Sequence, residues 1–391
     1  MQYNFDEIID RSNTGSLKYD FKKDRGMPED VIPMWVADMD FRSPKEVRDA
    51  VVRSAEHGIF GYSEATGAYT DAVRNWYRTR FGWDIRPEWM VRTPGIVFAI
   101  AMAIRAFTRK GDGVLIQQPV YYPFSACIEK NERRLVNNAL RYEDGRYSMD
   151  FEDMERKITE ENVKLFLLCS PHNPVGRVWS EEELKRAGEI CLRHGVVVVS
   201  DEIHSDFVWG DRKHVMFGNI SPELRDISVT CTAPSKTFNI AGLQVSNIFI
   251  PNETLRAAFE TEMEKTGYSQ LNQLGMAAAA AAYEKGGEWL SQVKEYLEKN
   301  LEFVRNFVKD RLPELCMAEP EGTYLVWLDF NHLSLTREQR DELIVGRAKL
   351  WLDEGDIFGA GGEGFERFNI ACPRQILEQA FLSLEKALRN R

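Results

Sequence analysis

Between Gly113 and Lys236 the chain repeats one pattern: a short apolar run, a polar or proline-broken turn, then a helical stretch. Val114-Leu-Ile-Gln117 leads to Pro119-Val-Tyr-Tyr-Pro123, and Leu165-Phe-Leu-Leu-Cys169 leads to Ser170-Pro-His-Asn-Pro-Val-Gly176. Val196-Val-Val-Val-Ser200 leads to Asp201-Glu-Ile-His204, and Ser228-Val-Thr-Cys-Thr232 leads to Ala233-Pro-Ser-Lys236. Runs this short and this apolar read as strands buried on both faces. Between two of them Ser180-Glu-Glu-Glu183 is a capping box that starts a helix, and Gly195 stops it. Strand, helix, strand in that order implies parallel strands with right-handed crossovers and helices on both faces. The fold class is therefore α/β, a mostly parallel doubly wound sheet, with a smaller α+β domain beside it.

The rest of the chain fits around that sheet. At 391 residues it is too long for one simple core. Residues 1–45 are irregular and aromatic-rich, and such a segment cannot form a core alone and is expected to lie across other parts of the chain. Helical patterns run from Pro44 to His57 and from Ala68 to Phe81, separated by the glycine-punctuated loop Phe60–Gly67 that presents Tyr62. Ile96–Phe107 is apolar nearly all round and reads as a buried helix. It opens after Thr93-Pro-Gly95, where free N–H groups suit an anion such as phosphate. A core helix with nothing at its end fits the same residues. The large domain is read as 46–284 and the small one as 285–391. In the latter, Trp289, Val293, Leu297, Leu301, Val304, Val308 and Leu312 form one helical stripe. Glu321–Asp329 and Arg367–Ala371 read as strands there.

Composition excludes several functions. A net charge of −11 leaves no cationic excess for nucleic acid. No apolar run approaches the ~18 residues of a membrane span, and the first residues lack the pattern of a signal peptide. Six scattered cysteines, with no Cys-x-x-Cys pair, fit free thiols in a reducing, cytoplasmic compartment. The six histidines are dispersed, and no metal is expected. Gly359-Ala-Gly-Gly-Glu-Gly364 matches a dinucleotide fingerprint in letters only, because no helical pattern follows it. It reads as a flexible loop.

In a doubly wound sheet the loops at the carboxyl ends of the strands share one edge, where ligands bind. Tyr121, Asn173, Asp201 and Lys236 all fall there. Asn173 and Asp201 are 28 positions apart, about one strand–helix–strand unit, so they are expected to be near neighbours. A lysine between a proline and an apolar run is poorly solvated, which lowers its pKa and frees it as a nucleophile. An acid, an amide, an aromatic ring and this amine make a pocket for a flat molecule bearing a basic nitrogen and a carbonyl.

Asn173-Pro-Val-Gly176, Ser200-Asp-Glu-Ile-His204 and Ser235-Lys-Thr-Phe-Asn239 resemble the signatures of the fold-type I pyridoxal-phosphate enzymes, the aspartate aminotransferase superfamily. Trp35-Val-Ala-Asp-Met-Asp-Phe41, Asp201-Glu-Ile-His-Ser-Asp206 and Asn369-Ile-Ala-Cys-Pro-Arg374 are similar to its cystathionine β-lyase branch, which includes the maltose-regulon modulator type. The resemblance covers nearly the whole chain.

It implies a cofactor, pyridoxal 5'-phosphate, and a role for each residue. Lys236 would hold the cofactor aldehyde as a Schiff base and shuttle the Cα proton. Asp201 would pair with the pyridine nitrogen, Asn173 with the phenolate oxygen, and Tyr121 would stack on the ring. Gly95, Ile96 and Ser235 would bind the phosphate, with His204 also beside the cofactor. Arg367 would grip the substrate α-carboxylate, with Ala37 and Tyr62 near the substrate. Tyr62 would reach the neighbouring subunit's site, which implies a homodimer.

Three departures favour a carbon–sulfur β-lyase over an aminotransferase. His204 stands where many aminotransferases have tyrosine. Gln244 stands where many aminotransferases carry a phosphate-binding arginine, and Ala233 stands where they often place serine. An aminotransferase of amino acids is the alternative reading. A third is a protein that binds a transcription regulator and keeps residual lyase activity.

Overall fold

The four apolar runs form neighbouring strands of one seven-stranded sheet in a computed structural model that describes residues 2–390. Across the sheet the order is Met90–Thr93, Ser246–Phe249, Ser228–Thr232, Val197–Asp201, Val163–Cys169, Gly113–Ile116, Arg134–Asn137. All pairings are parallel except those of Ser246–Phe249, which runs antiparallel to both neighbours. The sheet is thus mostly parallel, as the strand–helix alternation requires.

Both faces are covered. Ile96–Phe107 packs its isoleucines and alanines against Ile116, Leu167, Val199 and Cys231 on one side. On the other, Leu184, Ala187 and Ile190 of the Glu181–Arg193 helix meet Phe166, Leu168 and Val198. Ser180 caps that helix reciprocally with Glu183, at 3.2 and 2.8 Å. Fully burying one such aliphatic side chain stabilises the fold by roughly 2 kcal/mol.

Three strands of this sheet were not legible in the sequence: Met90–Thr93, Arg134–Asn137 and Ser246–Phe249. Each has four residues, and Arg92, Arg134 or Asn247 interrupts the apolar pattern. Hydrogen bonds from the adjacent strands hold them extended, so their state is tertiary in origin.

A second, four-stranded sheet has the order Cys316–Ala318, Leu325–Asp329, Phe365–Asn369, Asp353–Glu354, all antiparallel. The Gly287–Arg311 helix buries Trp289, Val293, Leu297, Leu301, Val304 and Val308, as the stripe requires. The expected strand at 321–329 is shorter, and Leu325–Asp329 is buried at all five positions rather than alternating. It lies between two apolar layers, so neither face needs polar residues. The expected strand at 367–371 sits two residues earlier, at Phe365–Asn369.

The glycine-rich loop 359–364 is packed rather than loose. Gly359 has φ +91°, and a Cβ there would lie 2.1 Å from Gln118 Nε2. Ala360 N donates to Gln118 Oε1 at 3.2 Å.

The N-terminal segment bridges the two sheets. Ile32–Pro33 pairs in parallel with Leu350–Trp351. Asn369 Nδ2 donates to the carbonyls of Val36 and Asp38, both at 2.6 Å, and Asn239 Nδ2 donates to those of Met39 and Phe41. The segment also carries a buried cation: Lys18 Nζ meets Asp40 at 2.7 Å, and Arg11 joins Asp40 and Asp38. Among the described residues, no helix is long and apolar enough to cross a membrane.

Candidate active site

Register decides the site. Cys169 pairs with Asp201, and Asp201 with Cys231, so three strands end level at the carboxyl edge. The loops after them bring Asn173, Asp201 and Lys236 to one cavity of about 310 Å³. Gly95 and Ile96 reach it after the Met90–Thr93 strand, and Tyr121 after Gly113–Ile116. Ser235, His204, Ala37 and Arg367 complete the expected set. Tyr62 alone lies elsewhere. It is fully exposed and lines a separate groove with Tyr268 and Leu271.

Lys236 sits on the one-turn helix Pro234–Thr237, which Pro234 opens with its fixed φ. Its Nζ donates to the Ala37 carbonyl at 2.6 Å. Enclosure by protein disfavours the ammonium and brings the pKa down to about 8, with Asp38 and Asp201 opposing and Arg367 assisting. Asp201, the last residue of its strand, accepts from Ile203 N at 3.2 Å. Burial pushes its carboxyl up to about 7. A carboxylate this dry is suited to a cation brought by a ligand.

Asn173 is held by a turn that needs Gly176, whose φ is +73° and whose Cβ would lie 2.9 Å from Pro320 Cα. Asn173 Oδ1 accepts from Arg367 Nη1 at 2.9 Å. Arg367 is buried, so its guanidinium is held by protein partners rather than by solvent. Its Nη2 also donates to the Trp35 carbonyl at 2.8 Å and pairs with Asp353.

The helix that begins at Ile96 is capped by Gly95 without a side-chain bond, leaving its first N–H groups for a ligand. Ser246 Oγ, buried and without a protein partner, lines the same cavity. Gln244 is exposed and outside it. His204 packs edge-to-face on Tyr324, and burial drives its pKa well below the ordinary value, so the ring is neutral. Tyr121 is half-buried, and desolvation raises its phenol.

Sequence reasoning did not single out Asp353, Tyr122, Ser246 or Leu17, all of which line the cavity. Asp353 had one available signal, a carboxylate directly after the apolar Leu350-Trp-Leu352. A larger, open groove of about 680 Å³ lies along the Gly287–Arg311 helix, but it gathers no comparable set of convergent groups. Among the described residues there is no cluster of three metal-ligating side chains.

An amine near neutrality, a dry carboxyl, an amide and a buried guanidinium around a helix start can hold a flat anionic ring and a carboxylate together. Residues 29–384 match the family described as aminotransferase class I and II. The chain is 45% identical to "Cystathionine beta-lyase PatB" of Bacillus subtilis, covering 98% of this chain and 100% of that one. It is 32% identical to "Protein MalY" of Escherichia coli, over 99% of both. Among solved structures it is similar to cystalysin from Treponema denticola, which contains a pyridoxal 5'-phosphate cofactor. The TM-score is 0.96 at 39% identity, with both chains fully covered. With its cavity at the carboxyl edge of a doubly wound sheet, the chain belongs to the aminotransferase class I and II family, in the fold-type I branch of the cystathionine β-lyases.

Proposed function

We propose that the chain is a pyridoxal-phosphate-dependent carbon–sulfur β-lyase that releases thiol, pyruvate and ammonia from cystathionine or a cysteine S-conjugate. The observation that carries this reading is the meeting of Lys236, Asp201, Asn173 and Arg367 in one cavity. The likeness to PatB supports lyase over aminotransferase.

The residues present fit the cofactor. Among the described residues the Asp201 side chain accepts one hydrogen bond, from Ile203 N, and would take a protonated ring nitrogen. Ser235, the orphaned Ser246 hydroxyl and the helix start at Gly95 and Ile96 would bind the phosphate, taking over from the arginine that Gln244 replaces. Tyr121 would cover the ring face, Asn173 would donate to its phenolic oxygen, and neutral His204 would pack beside it. When bound, the cofactor supplies an electron sink for charge developing at the substrate Cα.

The chain's own residues do the rest. Arg367 orients the substrate by its α-carboxylate, with Ala37 beside it. Lys236, poised near neutrality, would bind the aldehyde and then carry the Cα proton. The electron pair left at Cα would expel the sulfur from Cβ as thiolate, which leaves as thiol after taking a proton, and water would hydrolyse the remainder to pyruvate and ammonia.

Three coarser assignments accompany this reading. The division into 1–45, 46–284 and 285–391 is supported by the two sheets and by the segment that bridges them. A homodimer is supported by Tyr62, exposed beside Ile59 and Phe60 and outside its own chain's cavity lining. A cytoplasmic location is supported by four buried free thiols. A regulator-binding role draws no support from the geometry.

Supplying cystathionine alone tests the activity. Pyruvate and thiol without an added keto acid are the expected products. Turnover that requires 2-oxoglutarate would establish the aminotransferase instead.

A further inference from the structure

Arg367 is the residue assigned to the substrate carboxylate, yet its guanidinium is largely engaged. Nη1 donates to Asn173 Oδ1 at 2.9 Å, and Nη2 donates to the Trp35 carbonyl and pairs with Asp353. Nε is buried and has no hydrogen-bond partner among the described residues. A two-pronged contact can use the edge shared by Nε and Nη2, as Arg42 shows with Glu7 at 3.3 and 2.9 Å. On Arg367, Nη2 is shared by Asp353 and the Trp35 carbonyl while Nε stands idle. Asp353 is itself buried, lines the cavity and bonds through its side chain to no other group among the described residues.

We infer that Asp353 is a resident counter-ion which the substrate α-carboxylate displaces from Arg367, so that binding a carboxylate obliges Asp353 to take up a proton. The inference rests on the reading of Arg367 as the carboxylate site. A buried guanidinium needs a counter-charge before substrate arrives. Once a second carboxylate shares the same cation, two like charges in a dry site cannot both stay ionised. The incoming acid keeps the guanidinium because it gains both prongs, including the idle Nε, and Asp353 becomes neutral.

The other titratable groups that face this pair are Glu354, Lys236, His204, Tyr121, Tyr122 and Tyr324. The three phenols are raised and stay protonated, and the imidazole stays neutral. Glu354 opposes a further charge on Asp353, and burial already lifts the Asp353 carboxyl above its ordinary value. Lys236 is tied to the cofactor in the holoenzyme. A ligand without a carboxylate cannot replace Asp353, so the pair also screens against amines that lack one.

The test is calorimetric titration of the holoenzyme with propionate, a three-carbon carboxylate without an amine, in HEPES and in Tris. The two buffers together give the number of protons taken up. Above the Asp353 pKa the wild type should take up about one proton more per propionate than Asp353→Asn. Its affinity should fall by up to about tenfold per pH unit, while the variant's falls less steeply. The variant should bind more tightly at pH 8. Asp353→Ser provides a second uncharged variant, and a visible cofactor band equal to wild type verifies that each variant folds. Equal proton counts, or weaker binding by both variants at pH 8, would overturn the inference while leaving the site reading intact. That reading fails separately if the wild type shows no cofactor band.

Discussion

The amine of Lys236 donates a 2.6 Å hydrogen bond to the carbonyl of Ala37, a residue 199 positions away in the chain. The same carbonyl accepts from Tyr324 Oη at 3.0 Å. One peptide oxygen thus joins a strand-end loop of the large sheet, the N-terminal segment and the residue just before the inner strand Leu325–Asp329 of the small sheet. The segment that has no core of its own forms the wall against which the reactive amine is aimed.

On the proposed reading, replacing that amine removes both covalent attachment and proton transfer. Lys236→Ala should lose the visible absorption band of the cofactor and at least about a thousandfold in pyruvate release. A band that survives in the variant would show that another group holds the aldehyde.

Asp201 carries a cost in the cofactor-free protein. Its carboxyl rises from 3.8 to about 7, so the folded state holds the proton more tightly than the unfolded chain. Its contribution to stability is therefore full below about pH 4, falls as pH rises, and is gone above about 7. Asp201→Asn should make the cofactor-free protein more stable at pH 8, by an amount on the order of 4 kcal/mol or less. Thermal unfolding without cofactor would show this, and the same variant should lose most activity. A variant that melts lower at pH 8 would contradict the assignment.

Arg367→Lys keeps a positive charge opposite Asp353 but removes the planar fork. The KM for the amino-acid substrate should rise by about ten- to a hundredfold, with kcat changed far less. A fall in kcat at constant KM would place Arg367 outside carboxylate binding.

Tyr62 offers a test of the second copy. Tyr62→Ala and Lys236→Ala should each be weak alone. If Tyr62 serves the partner's site, random pairing of equal amounts restores about a quarter of the wild-type sites. Mixing the two after dissociation, then assaying pyruvate, would reveal the recovery. A mixture no more active than its parts would remove Tyr62 from the site.

The legible part of this protein lay where one short stretch carries the whole signal. Leu165–Cys169 and Val197–Asp201 declare themselves as strands because every residue is apolar or ends the run, and both faces are buried. Lys236, Asn173 and Asp201 could be placed on one edge because parallel strands put their carboxyl ends together. Met90–Thr93 and Ser246–Phe249 could not be read, because four mixed residues become a strand only when neighbours supply their hydrogen bonds.

By itself the amino-acid order determined the doubly wound class, the amine at a strand end and the companions that lie one crossover unit away. Those are local patterns of burial and turn chemistry. Tertiary structure alone decided that Arg367 shares its guanidinium with Asp353 and Asn173, that Ala37 faces Lys236, and that Tyr62 stands apart from its own cavity. These contacts join residues up to hundreds of positions apart. Their energies depend on side-chain packing between two sheets, which no short window of sequence contains.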